Sequence, residues 1–294
     1  MLERDRLIET FVELVRRAST QLPPDVVEAL ENGREKESDG SLAERALDTI
    51  LDNVRIAREV SLPICQDTGT PVVWIHHPVG VSTRMLGEAF TEAVRRATAK
   101  QYLRPNAVET LTGKNTGVGT GRGIPFLHFE EWDEPAVEVR MILKGGGSEN
   151  VGAQYKLPDP GLKAGRDLEG VRKVVLDAVF RAQGKGCAPG ILGVCIGGDR
   201  VSGFEESKRQ LLRPVPDTNP NPELAALERR IFEEANELGI GPMGFGGGTT
   251  LLGVKIGYLD RLPASFFVTI SYMCWADRRA AVRIGEGGDV TWLS

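Results

Sequence analysis

Apolar residues recur every three to four positions from residue 5 to 18, setting Leu7, Phe11, Leu14 and Ala18 on one face with Ile8, Val12 and Val15 beside them. That period predicts an amphipathic helix with one buried stripe. A short second helix should open at Pro23-Pro24-Asp25 and end near Gly33, with an exposed charged loop from Arg34 to Gly40. Ser41-Leu-Ala-Glu44 has the spacing of a capping box. Behind it Ala46, Leu47, Ile50, Leu51, Val54 and Ala57 predict a long helix that stops before Pro63.

The period then changes. Val72 to Ile75 and Phe126 to Phe129 read as strands, separated by a helix over 83–100 that buries Leu86, Phe90, Ala93, Val94 and Ala97. Val137, Val139, Met141 and Leu143 alternate with Glu138, Arg140 and Ile142, which predicts a strand with one wetter face. Later come a helix over 167–183 with Gly184 as its cap, an apolar strand from Ile191 to Ile196, a helix over 223–238, and strands over 250–256 and 265–273. The expected class is α+β: N-terminal helices, about residues 1–60, on mixed, largely antiparallel sheets, with functional loops at strand ends. The proline-rich stretch from Arg213 to Pro222 is a candidate boundary near residue 217. The strands after it are needed to finish a sheet, so one domain over residues 1–294 is expected.

Composition changes this picture little. A hydrophobic content of 41% and a charged content of 26% suit a globular protein. The net charge of −5 argues against nucleic acid or an anionic membrane as partner. No run approaches the roughly eighteen apolar residues of a membrane span. The first residues alternate charge with apolar side chains, unlike a leader, so a cytoplasmic location is expected.

Candidate chemistry begins where the helical pattern breaks, at Ser61-Leu-Pro-Ile-Cys-Gln-Asp-Thr-Gly-Thr-Pro71. A thiol, an amide, a carboxylate and a hydroxyl follow one another from Cys65 to Thr68, and Pro63, Gly69 and Pro71 punctuate the turn. A structural alternative for Asp67 is an Asx turn at the Thr-Gly corner. Cys65, Cys187 and Cys274 each sit at an element end beside glycine, proline or polar residues, whereas Cys195 lies inside an apolar run. The three are 122 and 87 residues apart, unlike the tight CxxC pairs of zinc ribbons or ferredoxins. Three dispersed thiolates suit either a late-assembled metal or cluster site or buried small side chains. The Gly113–Gly123 loop lacks the GxxxxGK[ST] order of a phosphate cradle. His76-His77 before Pro78 reads most simply as a surface loop, whereas Arg278-Arg279 suits an acidic partner subunit, the negative charge of a cluster, or a plain exposed basic turn.

Cys65-Gln-Asp-Thr-Gly69, Lys144-Gly-Gly-Gly-Ser-Glu-Asn150, Gly186-Cys-Ala-Pro-Gly190 with Leu192-Gly-Val-Cys-Ile-Gly-Gly198, and Tyr272-Met-Cys-Trp-Ala-Asp-Arg-Arg279 together resemble the iron–sulfur (class I) fumarate hydratases and L-tartrate dehydratases. The resemblance spans essentially the whole chain and is to the α subunit, or the N-terminal half of fused enzymes. It implies a [4Fe–4S] cluster held by Cys65, Cys187 and Cys274, with one iron open to a dicarboxylate substrate. It further implies Gln66, Arg104, Gly146 and Gly147 as substrate contacts and Asp67 as catalytic acid. A catalytic base, a threonine in the family, would come from a β subunit in an α2β2-type assembly. Fumarate hydration is the first expectation and tartrate dehydration the second. A different class, an electron-transfer or sensor protein, would need Cys195 as fourth ligand. The chain departs from the family pattern at Ala188, where a second proline is common, and near Leu262, where the family can place a histidine.

Overall fold

The computed structural model describes residues 3–293, which fold as two compact units of helices and mixed sheets. Unit 1 comprises residues 1–23, 53–146 and 276–294; unit 2 comprises 24–52 and 147–275.

In unit 1, helix α1 (Arg4–Thr20) buries Leu7, Ile8, Phe11, Leu14, Val15 and Ala18 as its period predicts. Strand β1 (Thr70–Pro78), helix α4 (Thr83–Ala99), strands β2 (Phe126–Trp132) and β3 (Ala136–Lys144), and strands β8 (Arg279–Gly285) and β9 (Val290–Trp292) complete it. The sheet order is β2-β1-β3-β8-β9, with β1 and β2 parallel and the other pairs antiparallel. α1 and α4 share one core with the Val73, Ile75, Val139, Met141 and Val282 side chains of the sheet. Phe11 and Phe90 lock the helix pair, with ring centroids 5.1 Å apart.

Two expectations fail here. The second face of β3 is drier than expected: Ile142 is fully buried and Glu138 nearly so, its carboxylate paired at 2.7 Å with Nε of Arg140, the one half-exposed residue of the strand. His76 and His77 are not in a surface loop, because β1 is paired on both sides and runs on to Pro78. His77 is buried, and His76 stacks on Trp132 at 5.2 Å.

Unit 2 contains α2 (Pro24–Glu35), the first half of α3 (Leu42–Val60), the single turn α5 (Gly146–Glu149, from its second residue), β4 (Ala153–Lys156) and α6 (Leu168–Ala182). β5 (Gly190–Gly197), α7 (Arg200–Gln210), α8 (Pro222–Glu237), β6 (Leu251–Leu259) and β7 (Phe267–Met273) follow. The sheet order is β4-β7-β5-β6, with β5 and β6 parallel and the rest antiparallel. Leu192, Val194 and Ile196 face the apolar sides of α6 and α8.

α7 lies beyond the sequence expectation. It has a capping box from Asp199 to Ser202, but its buried residues are Gly203 and Ser207 rather than large apolar side chains. It approaches the sheet through absent side chains: a Cβ on Gly193 would stand 1.9 Å from the Ser207 carbonyl oxygen. Gly193→Ala is therefore expected to cost about 3 kcal/mol of stability, read as a lower urea midpoint; an unchanged midpoint would show that α7 can shift freely.

α6 does not end at Gly184. Its C-cap is Gln183, at φ 47°, and a 3-10 turn over Gln183–Gly186 follows. α2 likewise continues past Gly33, which lacks a Cβ where Thr249 packs at 2.7 Å. The 213–222 segment lies wholly within unit 2 and is pinned there. Arg213 pairs with Asp217 and Glu228, each at 2.9 Å, and Lys255 Nζ donates to the Val215 carbonyl at 2.8 Å. Among the described residues no helix is long and apolar enough to cross a membrane.

Candidate active site

The corner after α3 is fixed from its flanks inward. Buried Ile64 donates its N–H to the Ser19 carbonyl at 3.0 Å and accepts from Asn53 Nδ2 at 2.8 Å. Cys65, Gln66, Asp67 and Thr68 then follow as an irregular bend before β1. The Thr68 hydroxyl is fully buried and accepts from the Arg104 backbone N–H at 3.1 Å and from Asn106 Nδ2 at 3.2 Å. The segment bearing Arg104 is thereby tied to the corner, and Arg104 Nη1 donates to the Gln66 carbonyl at 3.1 Å.

Asp67 is held at both oxygens. Oδ1 accepts from the Gly69 N–H at 3.1 Å, which is the Asx turn, and Oδ2 accepts from the Gly146 N–H at 2.7 Å. The turn and a defined carboxylate orientation are thus one arrangement. Gly69, at φ 77°, lets the corner pass β3, since a Cβ there would lie 2.7 Å from the Leu143 carbonyl carbon. Arg278 closes the back: it is 1% exposed, and its Nη1 donates to the Asp67 carbonyl at 2.5 Å. Of the readings open for Arg278-Arg279, the exposed basic turn is the one that fails, because both side chains are buried.

Unit 2 supplies a second set. Cys187 closes the 3-10 turn in left-handed conformation, φ 57° and ψ 63°. Its carbonyl accepts from the Trp275 N–H at 3.2 Å, which ties the turn to the residue after Cys274. The Met243 N–H donates to the Ala188 carbonyl at 2.8 Å, so the glycine-rich 241–248 loop braces the same turn. Glu37 holds that loop through the N–H groups of Gly248, at 3.1 Å, and Thr249, at 2.8 Å. Tyr272 is buried, and that burial, reinforced electrostatically by Cys274 and Cys187, pushes its hydroxyl pKa up.

None of the cysteines is in a disulfide, and Cys65, Cys187 and Cys274 are all half-buried. Cys195 differs. It is fully buried, and desolvation with the nearby Glu206 pushes its thiol up to about 12. It pairs with Thr269, five residues before Cys274 on β7. At about 3.3 Å per strand residue, that separates Cys195 from Cys274 by roughly 16 Å, too far to share one cluster.

Unit 1 thus brings together Cys65, Gln66, Asp67, Arg104 and Gly146, while unit 2 carries Gly147, Cys187 and Cys274. Sequence reasoning missed the positioning role of Thr68 and Arg278, as well as the ring of Tyr272 between Gly186 and Gly190. For Arg278 the signal was its place four residues after a candidate ligand. Among the described residues no three His, Cys, Asp or Glu side chains stand together as ligands of a single metal ion. The donor chemistry of unit 2 does fit an iron–sulfur group: two half-buried thiols on segments tied by a backbone hydrogen bond act electrostatically on a buried hydroxyl that has no hydrogen-bond partner among the described residues.

The family model described as fumarate hydratase (Fumerase) matches residues 8–283. The chain belongs to the fumarate hydratase family. A Geobacillus stearothermophilus protein provisionally named fumarate hydratase class I is 49% identical over 98% of this chain and 57% of its own length. The fumarate hydratase-family chain thus spans little more than half of that relative. A Methanocaldococcus jannaschii protein, provisionally named L(+)-tartrate dehydratase subunit alpha, is 37% identical over 95% of this chain and 98% of its own. The L(+)-tartrate dehydratase subunit alpha of Escherichia coli K12 is 33% identical over 95% and 91% of the two chains.

Proposed function

We propose that this chain is the α subunit of a [4Fe–4S]-dependent hydro-lyase that interconverts fumarate and malate, with residues 1–294 acting as one functional domain in the cytoplasm. The observation that carries the reading is Asp67, gripped by the Gly69 and Gly146 N–H groups, with Arg104 tied to the same corner. Cys65, Cys187 and Cys274 would hold the cluster. When bound, it supplies a Lewis acid for a substrate hydroxyl and carboxylate.

The chain's own residues do the rest. Asp67 exchanges a proton through its carboxyl group, and the two backbone donors keep that group aimed as it does so. Arg104 is exposed beyond its Gln66 contact, and a planar guanidinium suits a bidentate carboxylate. Gln66 offers an amide next to Asp67, and the side-chain-free Gly146 and Gly147 admit a close ligand. The base would come from a β subunit in an α2β2-type complex, a reading supported by the subunit names of the archaeal and Escherichia coli relatives. Those same names favour tartrate as the second substrate.

The test is to purify the chain with its β partner without oxygen and assay malate and tartrate. Turnover of malate above tartrate is expected. A fully loaded complex inactive on both would end the hydro-lyase reading. A closed electron-transfer cluster makes the opposite forecast for Cys195. Cys195→Ser is expected to keep its full iron and sulfide content while losing about 1–2 kcal/mol of stability to the buried hydroxyl; loss of the cluster would revive the sensor reading.

A further inference from the structure

Tyr272 stands in β7 two residues before Cys274 and is 2% exposed. Its ring fills space left by the two glycines that flank the Cys187 turn. A Cβ on Gly190 would stand 2.3 Å from Cζ and 2.4 Å from the hydroxyl oxygen, and one on Gly186 would stand 2.6 Å from Cε1. The phenol therefore reaches the segment bearing one candidate ligand from the strand that leads directly into another. Its hydroxyl nevertheless has no hydrogen-bond partner among the described residues. Buried tyrosine hydroxyls ordinarily find one, and an orphan at a site is a signature of a missing group.

We infer that the Tyr272 hydroxyl donates a hydrogen bond to a sulfur of the cluster, either a bridging sulfide or a ligand thiolate, and so raises the cluster's reduction potential. The inference rests on the cluster proposed above and assigns this chain a tuning residue for it. A donor on sulfur withdraws electron density and favours the more negative, reduced state. Phenylalanine at 272 would keep the packing against Gly186 and Gly190 and remove the donor alone.

The experiment is an anaerobic redox titration of the loaded full chain, followed by electron paramagnetic resonance. Tyr272→Phe is expected to shift the potential to more negative values at unchanged iron and sulfide content. Incorporating 3-fluorotyrosine at 272, a stronger donor of nearly the same size, is expected to shift it the other way, and it keeps the test intact should the phenylalanine variant misfold. Deuterium-sensitive bridging or terminal Fe–S stretching bands, lost in Tyr272→Phe, would tell sulfide from thiolate. Potentials identical in all forms carrying a full cluster would overturn the inference alone. A wild-type chain with no iron or sulfide would overturn it together with the reading beneath it.

Discussion

Replacing Cys187 with alanine is expected to leave the anaerobically purified chain without its iron–sulfur absorption, with iron and sulfide falling from about four each per chain to near zero. Three thiolates are the whole protein contribution to the proposed cluster, so losing one leaves two irons without protein ligands. The fold has no reason to suffer. Cysteine and alanine share the Cβ that the left-handed conformation at φ 57° already tolerates, and the half-buried thiol fills no core. Unchanged far-UV circular dichroism should accompany the loss, with activity in the partnered complex at background. A variant that kept a full cluster would remove Cys187 from the ligand set.

Asp67→Asn should separate chemistry from cofactor. The cluster content is expected to stay, while kcat in the complex falls by about 10²–10⁴-fold, the usual worth of a positioned acid. Asparagine can still accept from the Gly69 N–H through Oδ1. Its amide NH₂ would then face the Gly146 N–H, donor against donor, where Oδ2 now accepts at 2.7 Å. The corner should lose about 1–2 kcal/mol from that mismatch, so thermal stability is measured alongside kcat and KM. A drop in stability with kcat preserved would reduce Asp67 to a turn residue.

The helices with large apolar stripes were legible in advance, because Leu7, Phe11, Leu86 and Phe90 make their period plain. α7 was not, since its buried positions are Gly203 and Ser207, and a contact made by missing side chains leaves no hydrophobic pattern. His76 and His77 were misplaced because Pro78 reads as a stop, whereas pairing on both sides carries β1 through them. Within the site, the motif residues were visible as an unusual run of polar types in a turn. What held them was not. For Arg278 an exposed turn stayed open as a reading, and the carbonyl it donates to lies 211 residues earlier, a pairing with no local trace. Tyr272 alternated like any core strand residue, and the room for its ring comes from Gly186 and Gly190, 86 and 82 residues away.

That long reach of Arg278 bears on the order of events during synthesis. The strand that follows it, β8, also completes the sheet beside β3. A ribosome adding about 5–20 residues per second needs roughly 10–40 s to travel from Asp67 to Arg278. Throughout that interval the Cys65–Gly69 corner lacks its guanidinium brace, and β3, once made, waits with one edge unpaired. The brace on the Cys65–Gly69 corner can therefore form only once the chain has been made through Arg278.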